Sequence, residues 1–239
     1  MIWNYDHRFS TYENATQSNI NEGNLPQLTS EMHSDANKRV LTRYFVPELS
    51  LQKRIGSWNK KWFIGFRGIA ATNNERTFIY SLLPYVGAGN SAPIIIFPDN
   101  ISTLQTAGFL ANANSLIYDY IGRQKAAGSN LNFYIVRQMP VLQPKDYTTS
   151  LLLAILPNLI ELVYSSWDIK AFADDVWKEA GESEELKVKS EKFGELSPLQ
   201  AAIVKQWEEN QAATGGHAWA PPEWCEDYGT IIVNGELHK

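Results

Sequence analysis

The chain has 239 residues but very few of the side chains that build disulfides or metal centres. Cys225 is the single cysteine, so the chain can form neither an intramolecular disulfide nor a cysteine-based zinc site. The four histidines are scattered and lack the spacing of metal ligands. This sparse use of cysteine favours a reducing compartment, and we predict a cytoplasmic protein.

Long apolar runs and catalytic motifs are absent as well. No stretch approaches the roughly 18 apolar residues of a membrane span, and the start, MIWNYDHRF, lacks the pattern of a signal peptide. There is no glycine-rich phosphate loop, no pair of histidines on a helix and no Gly-x-Ser-x-Gly motif. We therefore expect no membrane partner, no metal and no catalysis by this chain alone.

Charge is distributed unevenly along the chain, although the net charge is only −5. Residues 1–145 contain 14 Lys and Arg against 9 Asp and Glu, a net charge of +5, whereas residues 146–239 contain 7 against 17, a net charge of −10. Residues 38–76, the basic region, contain nine basic and two acidic residues. Phosphate binding requires a local positive field of this kind, although charge alone favours a solvated basic face.

Short apolar runs separated by turn residues predict a small sheet in the first part of the chain. The runs WFIGF, TFIYSLL and IIIF have the length and composition of strands, and so do VLTRYFV at 40–46 and LNFYIV at 131–136. Apolar residues at helical spacing predict one helix over 103–125, with Asn114 at the edge of its apolar face as a clamp to a neighbouring strand. The predicted apolar face consists of Phe109, Ala113, Leu116, Ile117, Tyr120 and Ile121.

A proline-punctuated segment at 138–145 marks the predicted domain boundary. Beyond it, residues 148–177 and 197–211 have helical patterns. The sequence therefore predicts a mixed α/β (α+β) fold in two domains. Residues 1–145 would combine a short-stranded sheet with packed helices, and residues 146–239 would form an acidic helical region.

The basic region interleaves aromatic and basic side chains. Lys60, Lys61 and Arg67 lie close in sequence to Trp58 and Trp62. Basic groups neutralise phosphates and aromatic rings stack on bases, so this combination is typical of nucleic-acid binding. We select these three basic residues as candidate phosphate contacts.

Two further sets of candidate residues lie outside this cluster. Asn73, Asn74 and Arg76 occupy one short loop, and Asn pairs bidentately with adenine as Arg does with guanine. A turn with side chain–backbone hydrogen bonds explains the loop equally well. Arg123 and Lys125 end the predicted helix, where they would either stabilise its dipole or contact phosphate.

Five sequence blocks carry a resemblance to a known family. They are MIWNYDHRFSTY, RYFVPE, KKWFIGFRGIAATNNERTFIYSLLP, LANANSLIYDYIGRQKAAGSNLNFYIVRQMPVL and ELVYSSWDIKAFADDV, in this order over residues 1–176. This part of the chain resembles the C-terminal target-recognition region of large adenine-N6 DNA methyltransferases of the type IIG restriction–modification and phage-defence (BREX-like) kind. The resemblance implies a recognition domain like those of type I specificity subunits, followed by helices.

The resemblance also implies how function is divided between domains. In the family this region selects the DNA site, and a separate domain binds S-adenosylmethionine. The Asn-Pro-Pro-Tyr motif of that domain does not occur here. We therefore expect no cofactor in this chain, with S-adenosylmethionine bound only by a missing or partner methylase domain.

The predicted function is double-stranded DNA binding within a site-specific adenine methyltransferase or type II restriction system. A separately encoded methyltransferase subunit would be the protein partner. The alternative is a protein-interaction module or non-functional remnant, which docks a methylase partner through its acidic helices.

Overall fold

Helices and short antiparallel strands occur together, which confirms the predicted mixed α/β class. The computed structural model describes residues 2–70, 74–126, 128–182, 187–190, 194–214, 231–233 and 236–238. In chain order the elements are α1 (Gln17–Glu22), α2 (Ser30–Ser34), α3 (Glu48–Ile55), β1 (Trp62–Phe66), β2 (Tyr80–Pro84), β3 (Ile94–Ile95), α4 (Thr103–Ala113), α5 (Leu116–Lys125), α6 (Phe133–Val136), α7 (Thr149–Val163), α8 (Lys170–Gly181), β4 (Val188–Ser190), β5 (Gly194–Leu196), α9 (Pro198–Thr214), β6 (Ile231–Val233) and β7 (Glu236–His238).

The chain divides into two units. Unit 1 comprises Met1–Leu28, Val40–Ile101 and Gln105–Tyr147, and unit 2 comprises Thr29–Arg39, Ser102–Leu104 and Thr148–Lys239. Unit 2 thus includes two segments that lie within the predicted first domain. The assignment of separate functions to residues 1–145 and 146–239 stays a prediction.

The sheet of unit 1 has the strand order β2-β1-β3, with both neighbouring pairs antiparallel. The predicted strand WFIGF is confirmed as β1, and all five of its residues are buried. Successive strand residues face opposite sides of a sheet, so β1 and β2 contribute side chains to two separate layers. One layer is a cluster with α3, here the α3 cluster, formed by Ile2, Leu51, Phe63, Ile79 and Leu83.

The other layer joins the sheet to α4 and α5 through aromatic side chains. The Tyr80 ring lies 5.9 Å from Phe109 and 5.7 Å from Tyr118, both edge-on, and the two tyrosine hydroxyls are 2.8 Å apart. Burial raises the pKa of Tyr118 to about 12, so this hydroxyl stays protonated at neutral pH. α5 approaches closely at Gly122, where a Cβ would lie 2.2 Å from a ring carbon of Phe78.

The predicted single helix over 103–125 is wrong, because the chain forms two helices with a break between them. Ser115 has an extended conformation and its hydroxyl accepts a hydrogen bond from the N–H of Tyr118 at 3.2 Å. Serine is a preferred residue at this position because it satisfies one of the free N–H groups of a helix start. The Asn-Ser pair therefore ends one helix and starts the next.

The break changes which side of the second helix is buried. α5 buries Tyr118, Asp119 and Gly122. Three residues of the predicted apolar face are exposed instead: Leu116 by 76%, Ile117 by 73% and Tyr120 by 67%. The prediction failed here because it continued one helical phase through residues that cap a helix.

Two of the predicted strands are also wrong. Residues 131–136 contain the short helix α6, in which the N–H groups of Ile135 and Val136 both bond to the carbonyl of Asn132. Residues 40–46 form no strand, and Tyr44 and Phe45 are exposed. Residues of β-type composition favour a strand because their side chains pack well on a sheet. Among the described residues, neither segment has a neighbouring strand to pair with, so this preference does not produce a strand.

Unit 2 is mainly helical, as predicted. α7 and α8 account for the pattern at 148–177, with a break at 164–169 that contains a 3-10 turn at Trp167–Ile169. α9 accounts for 197–211. The Gln206 amide on α9 donates to the Glu161 carboxylate on α7 at 2.7 Å. Over the part of the chain that the structure describes, no helix is both long and apolar enough to cross a membrane.

Asn114 connects the α4–α5 break to the sheet, which confirms its predicted role as a clamp. Its side-chain oxygen accepts from the N–H of Tyr80 at 3.0 Å, and its side-chain NH₂ donates to the carbonyl of Tyr80 at 2.9 Å. The Asn4 amide donates to the same side-chain oxygen at 2.7 Å. One buried carboxamide thus satisfies both polar groups of a β2 residue.

We predict that Asn114→Ala lowers the free energy of unfolding by about 1–3 kcal/mol, because it leaves the buried N–H of Tyr80 without a partner. The Tyr80 carbonyl keeps a hydrogen bond from the N–H of Tyr5. Urea denaturation measures this loss. Asn158→Ala, at an exposed position of α7, is the control and should change stability by no more than about 0.5 kcal/mol. Equal stability of the two variants would contradict the clamp.

Candidate nucleic-acid interface

Four basic residues surround the point where α3 leads into β1. Lys53 and Arg54 lie in the last turn of α3, and Lys60 and Lys61 directly precede β1. Residues 53–61, here the basic segment, contain no acidic residue. Lys53, Arg54 and Lys61 are exposed and Lys60 is half-buried. The basic segment therefore presents positive charge to solvent from two elements that meet at the α3 cluster.

Aromatic contacts hold the basic segment in place. The indole N–H of Trp58 donates to the carbonyl of Trp62 at 2.9 Å, and its ring stacks on Phe63 at 6.2 Å. The Lys61 ammonium lies 4.3 Å from the centre of the Tyr85 ring, which in turn stacks on Phe63 at 5.5 Å. A cation over an aromatic face is attracted to the ring. These rings build the scaffold of the segment, and Trp62 is too deeply buried to stack on a base.

Arg67 lies at the other end of β1. Its Nε donates to the carbonyl of Ile69 at 2.9 Å, and its guanidinium lies 5.9 Å from the centre of the Trp3 ring. Burial lowers the pKa of Arg67. Arginine is effectively always protonated in proteins, so Arg67 carries its positive charge at neutral pH.

The predicted base-reading loop is only partly described. Asn73 lies outside the described residues, and Asn74 is half-exposed. Arg76 donates to the carbonyls of Asn114 at 2.5 Å and Ser115 at 3.4 Å. Asn114 directly follows the last residue of α4, where a basic side chain can bond a main-chain carbonyl and interact favourably with the helix dipole. Arg76 therefore has a structural role, and its base-reading role stays a prediction.

The Asp119 carboxylate on α5 accepts hydrogen bonds from three donors. One carboxylate oxygen accepts from the N–H of Thr77 at 2.8 Å and of Phe78 at 2.7 Å. The other oxygen accepts from Arg123 Nε at 2.8 Å, and Arg123 also donates to the carbonyl of Glu75. Arg123 is thus used in an intramolecular ion pair, whereas Lys125 at the end of α5 is exposed.

Opposing effects act on the pKa of Asp119. Burial raises it, but the hydrogen bonds from Phe78, Arg123 and Thr77 and the nearby charge of Arg76 lower it by more. The pKa of Asp119 therefore lies below its ordinary value. The carboxylate is charged at neutral pH and bonds the segment before β2 to α5.

The candidate residues fall into two groups. Lys60 and Lys61 lie on the same basic segment as Lys53 and Arg54. Arg76 and Arg123 bond groups at or beside the α4–α5 junction. Sequence reasoning did not select Lys53 and Arg54 individually, although they belong to the basic region, and it missed Asp119. The four-residue spacing from Asp119 to Arg123 is the sequence signal for that ion pair.

No family model, curated protein or solved structure matches the chain. The resemblance to target-recognition regions therefore stays a prediction. Among the residues that the structure describes, no three His, Cys, Asp or Glu side chains are arranged to hold a metal ion.

We predict that Asp119→Asn lowers the free energy of unfolding by about 1.5–3 kcal/mol at neutral pH, because charged hydrogen bonds to two N–H groups and Arg123 are lost. The folded pKa is the lower one, so this stabilisation is complete above the unfolded pKa of about 4 and disappears as pH falls through the folded value. Urea denaturation between neutral pH and about pH 3 should show the two proteins converging in acid.

The exposed Asp99→Asn variant is the matched control and should follow the wild-type protein at every pH. A constant stability difference between wild type and Asp119→Asn across the whole pH range would contradict the assignment of the stabilisation to a charged Asp119.

Proposed function

We propose that unit 1 binds the phosphate backbone of double-stranded DNA through the basic segment. The proposal includes the wider role that the resemblance implies: target recognition in a restriction–modification or phage-defence adenine methyltransferase system. The observation that carries DNA binding is the basic segment itself, with four basic residues, no acidic residue and an anchored backbone.

Charge supports binding by unit 1 and not by unit 2. Unit 1 contains 12 Lys and Arg against 8 Asp and Glu, a net charge of +4, and unit 2 contains 9 against 18, a net charge of −9. A DNA duplex carries one negative charge per roughly 1.7 Å of its axis, and each neutralised phosphate adds to affinity. The negative charge of the whole chain therefore does not exclude binding by a locally basic surface.

The position of the basic residues along β1 fits an extended contact with a duplex. Lys61 precedes this strand and Arg67 follows it. Six residues of extended chain span about 20 Å, a length along which a duplex carries several phosphates. We assign phosphate contact to the basic segment and Arg67, with Lys125 as a further exposed candidate.

The structural contacts argue against DNA contact by Arg76, a base-reading candidate, and by Arg123, a phosphate candidate. Arg76 donates hydrogen bonds to main-chain carbonyls. Arg123 donates to the Asp119 carboxylate and to a main-chain carbonyl. Freeing either guanidinium would leave a buried acceptor without its partner, which costs free energy. In this proposal both residues support the fold.

The proposed system requires a second component. We propose that a separately encoded methyltransferase subunit supplies catalysis and the S-adenosylmethionine site, in the cytoplasm. A second candidate function is a protein-interaction module that docks such a subunit, and the net charge of −9 on unit 2 favours it. The two functions differ in whether the isolated chain binds DNA.

We predict that Lys60→Gln/Lys61→Gln weakens duplex binding and makes it less sensitive to salt. Fluorescence anisotropy of a labelled duplex between about 50 and 200 mM salt gives the slope of log affinity against log salt concentration. Each lost phosphate contact should reduce the size of that slope by roughly 0.9, hence by about 2 for the double variant.

Lys178→Gln/Lys205→Gln removes the same charge from exposed positions of unit 2 and is the control. This control should bind like the wild-type protein. An equal loss in both double variants would show a non-specific charge effect, and no duplex binding by the wild-type chain at low salt would reject DNA binding.

A further inference from the structure

Unit 1 contains a cavity of about 490 Å³ beyond the end of β1. This volume lies within the range of sites that bind small molecules. None of the lining residues among those described carries a charge. Its lining includes Ile69, Asn90, Pro93, Asn130, Asn132 and Phe133.

Main-chain hydrogen bonds build the frame of this cavity. The N–H of Gly68 donates to the carbonyl of Ser91, and the carbonyl of Gly68 accepts from the N–H of Leu131, both at 2.8 Å. Gly68 thus joins the two loops that carry the polar lining. A Cβ at Gly68 would lie 3.1 Å from the carbonyl oxygen of Asn90 and 3.2 Å from Cδ of Pro93, so a side chain here would have to displace these atoms by a few tenths of an ångström.

The polar lining consists mainly of carboxamides. Asn90, Asn130 and Asn132 are exposed to solvent, and each carries a planar donor and acceptor pair. Asn132 precedes α6, but its side chain makes no capping hydrogen bond. These amides fit a ligand that has donors and acceptors along one edge. The lining residues among those described are all uncharged, which favours a neutral ligand.

Phe133 supplies an aromatic face. The buried Phe66 contacts its ring edge-on at 6.0 Å, and the Phe133 side chain remains 54% exposed. Nucleobases stack on aromatic side chains of this kind, and an asparagine amide pairs bidentately with a base edge. A flat ring with a hydrogen-bonding edge therefore uses both features of the lining.

We propose that this cavity binds a nucleobase ring, either of a free nucleoside or of an unpaired base in a DNA strand. The free-nucleoside form is independent of DNA binding, whereas the unpaired-base form rests on the proposed function. A monosaccharide is the competing ligand, since sugars also contact amides and aromatic rings.

The first experiment titrates the full chain with adenosine, guanosine, cytidine or thymidine, and with glucose, while ¹H–¹⁵N NMR spectra are recorded. Nucleosides should shift the resonances of Gly68, Ser91 and Leu131, and glucose should not. Phe133→Ala should weaken binding roughly tenfold, because the stacking partner is lost. Tyr134→Ala is the matched control, since Tyr134 is on the same helix and 74% exposed but does not line the cavity.

Asn132→Ala is a second cavity variant that should also weaken nucleoside binding. A native spectrum of each variant without ligand shows that the fold is intact. Shifts with glucose equal to those with nucleosides would overturn the proposal.

The second experiment separates the two sources of the base. Anisotropy compares a fully paired duplex with one that contains a single unpaired adenine. A DNA base is identified as the ligand if two results are obtained together. The wild-type chain prefers the duplex with the unpaired adenine, and Phe133→Ala abolishes this preference without changing binding of the fully paired duplex. Nucleoside binding without this preference identifies a free nucleoside.

Absence of both nucleoside shifts and unpaired-base preference overturns the inference. Binding of the fully paired duplex is scored separately. If that binding persists, the proposed function stands without the nucleobase site, and if it is absent, DNA binding fails on its own.

Discussion

The hydrogen bonds between the α4–α5 junction and the chain around β2 hold unit 1 in its observed arrangement. Asn114 satisfies both main-chain groups of Tyr80, and the Asp119 carboxylate accepts from the N–H groups of Thr77 and Phe78. These groups are buried, so the loss of a partner would cost more than an exposed hydrogen bond. The junction fixes one layer against the sheet, while the α3 cluster on the other layer carries the basic segment.

The sequence was sufficient to predict the elements that hydrophobic pattern determines. WFIGF was recognisable as a strand because a short, wholly apolar run is typical of a strand whose residues are all buried. Asn114 was recognisable as a clamp because an amide at the edge of an apolar helix face needs a polar partner. The helix break at Ser115 was missed because a capping serine interrupts the helix without a proline or glycine. The helix at Phe133–Val136 was missed because its four residues have β-type composition.

The sequence was sufficient to predict that the candidate site is positively charged. It was not sufficient to predict which basic residues form intramolecular hydrogen bonds. An arginine that binds phosphate and one that binds main-chain carbonyls, as Arg76 does, have the same sequence signature. Lys60 and Lys61 turn out to lie on a basic segment, whereas hydrogen bonds commit Arg76 and Arg123 to the junction. The cavity at Gly68 escapes sequence reasoning altogether, because main-chain bonds between distant loops create it.

We propose that the basic segment of unit 1 contacts DNA directly. Amide hydrogen exchange of the full chain, alone and saturated with a duplex, tests it over every described element in one experiment. We expect amide exchange at residues 53–67 to slow on DNA binding, while exchange in α7, α8 and α9 stays unchanged. Slower exchange confined to those three helices, or no change anywhere under saturating DNA, would contradict it.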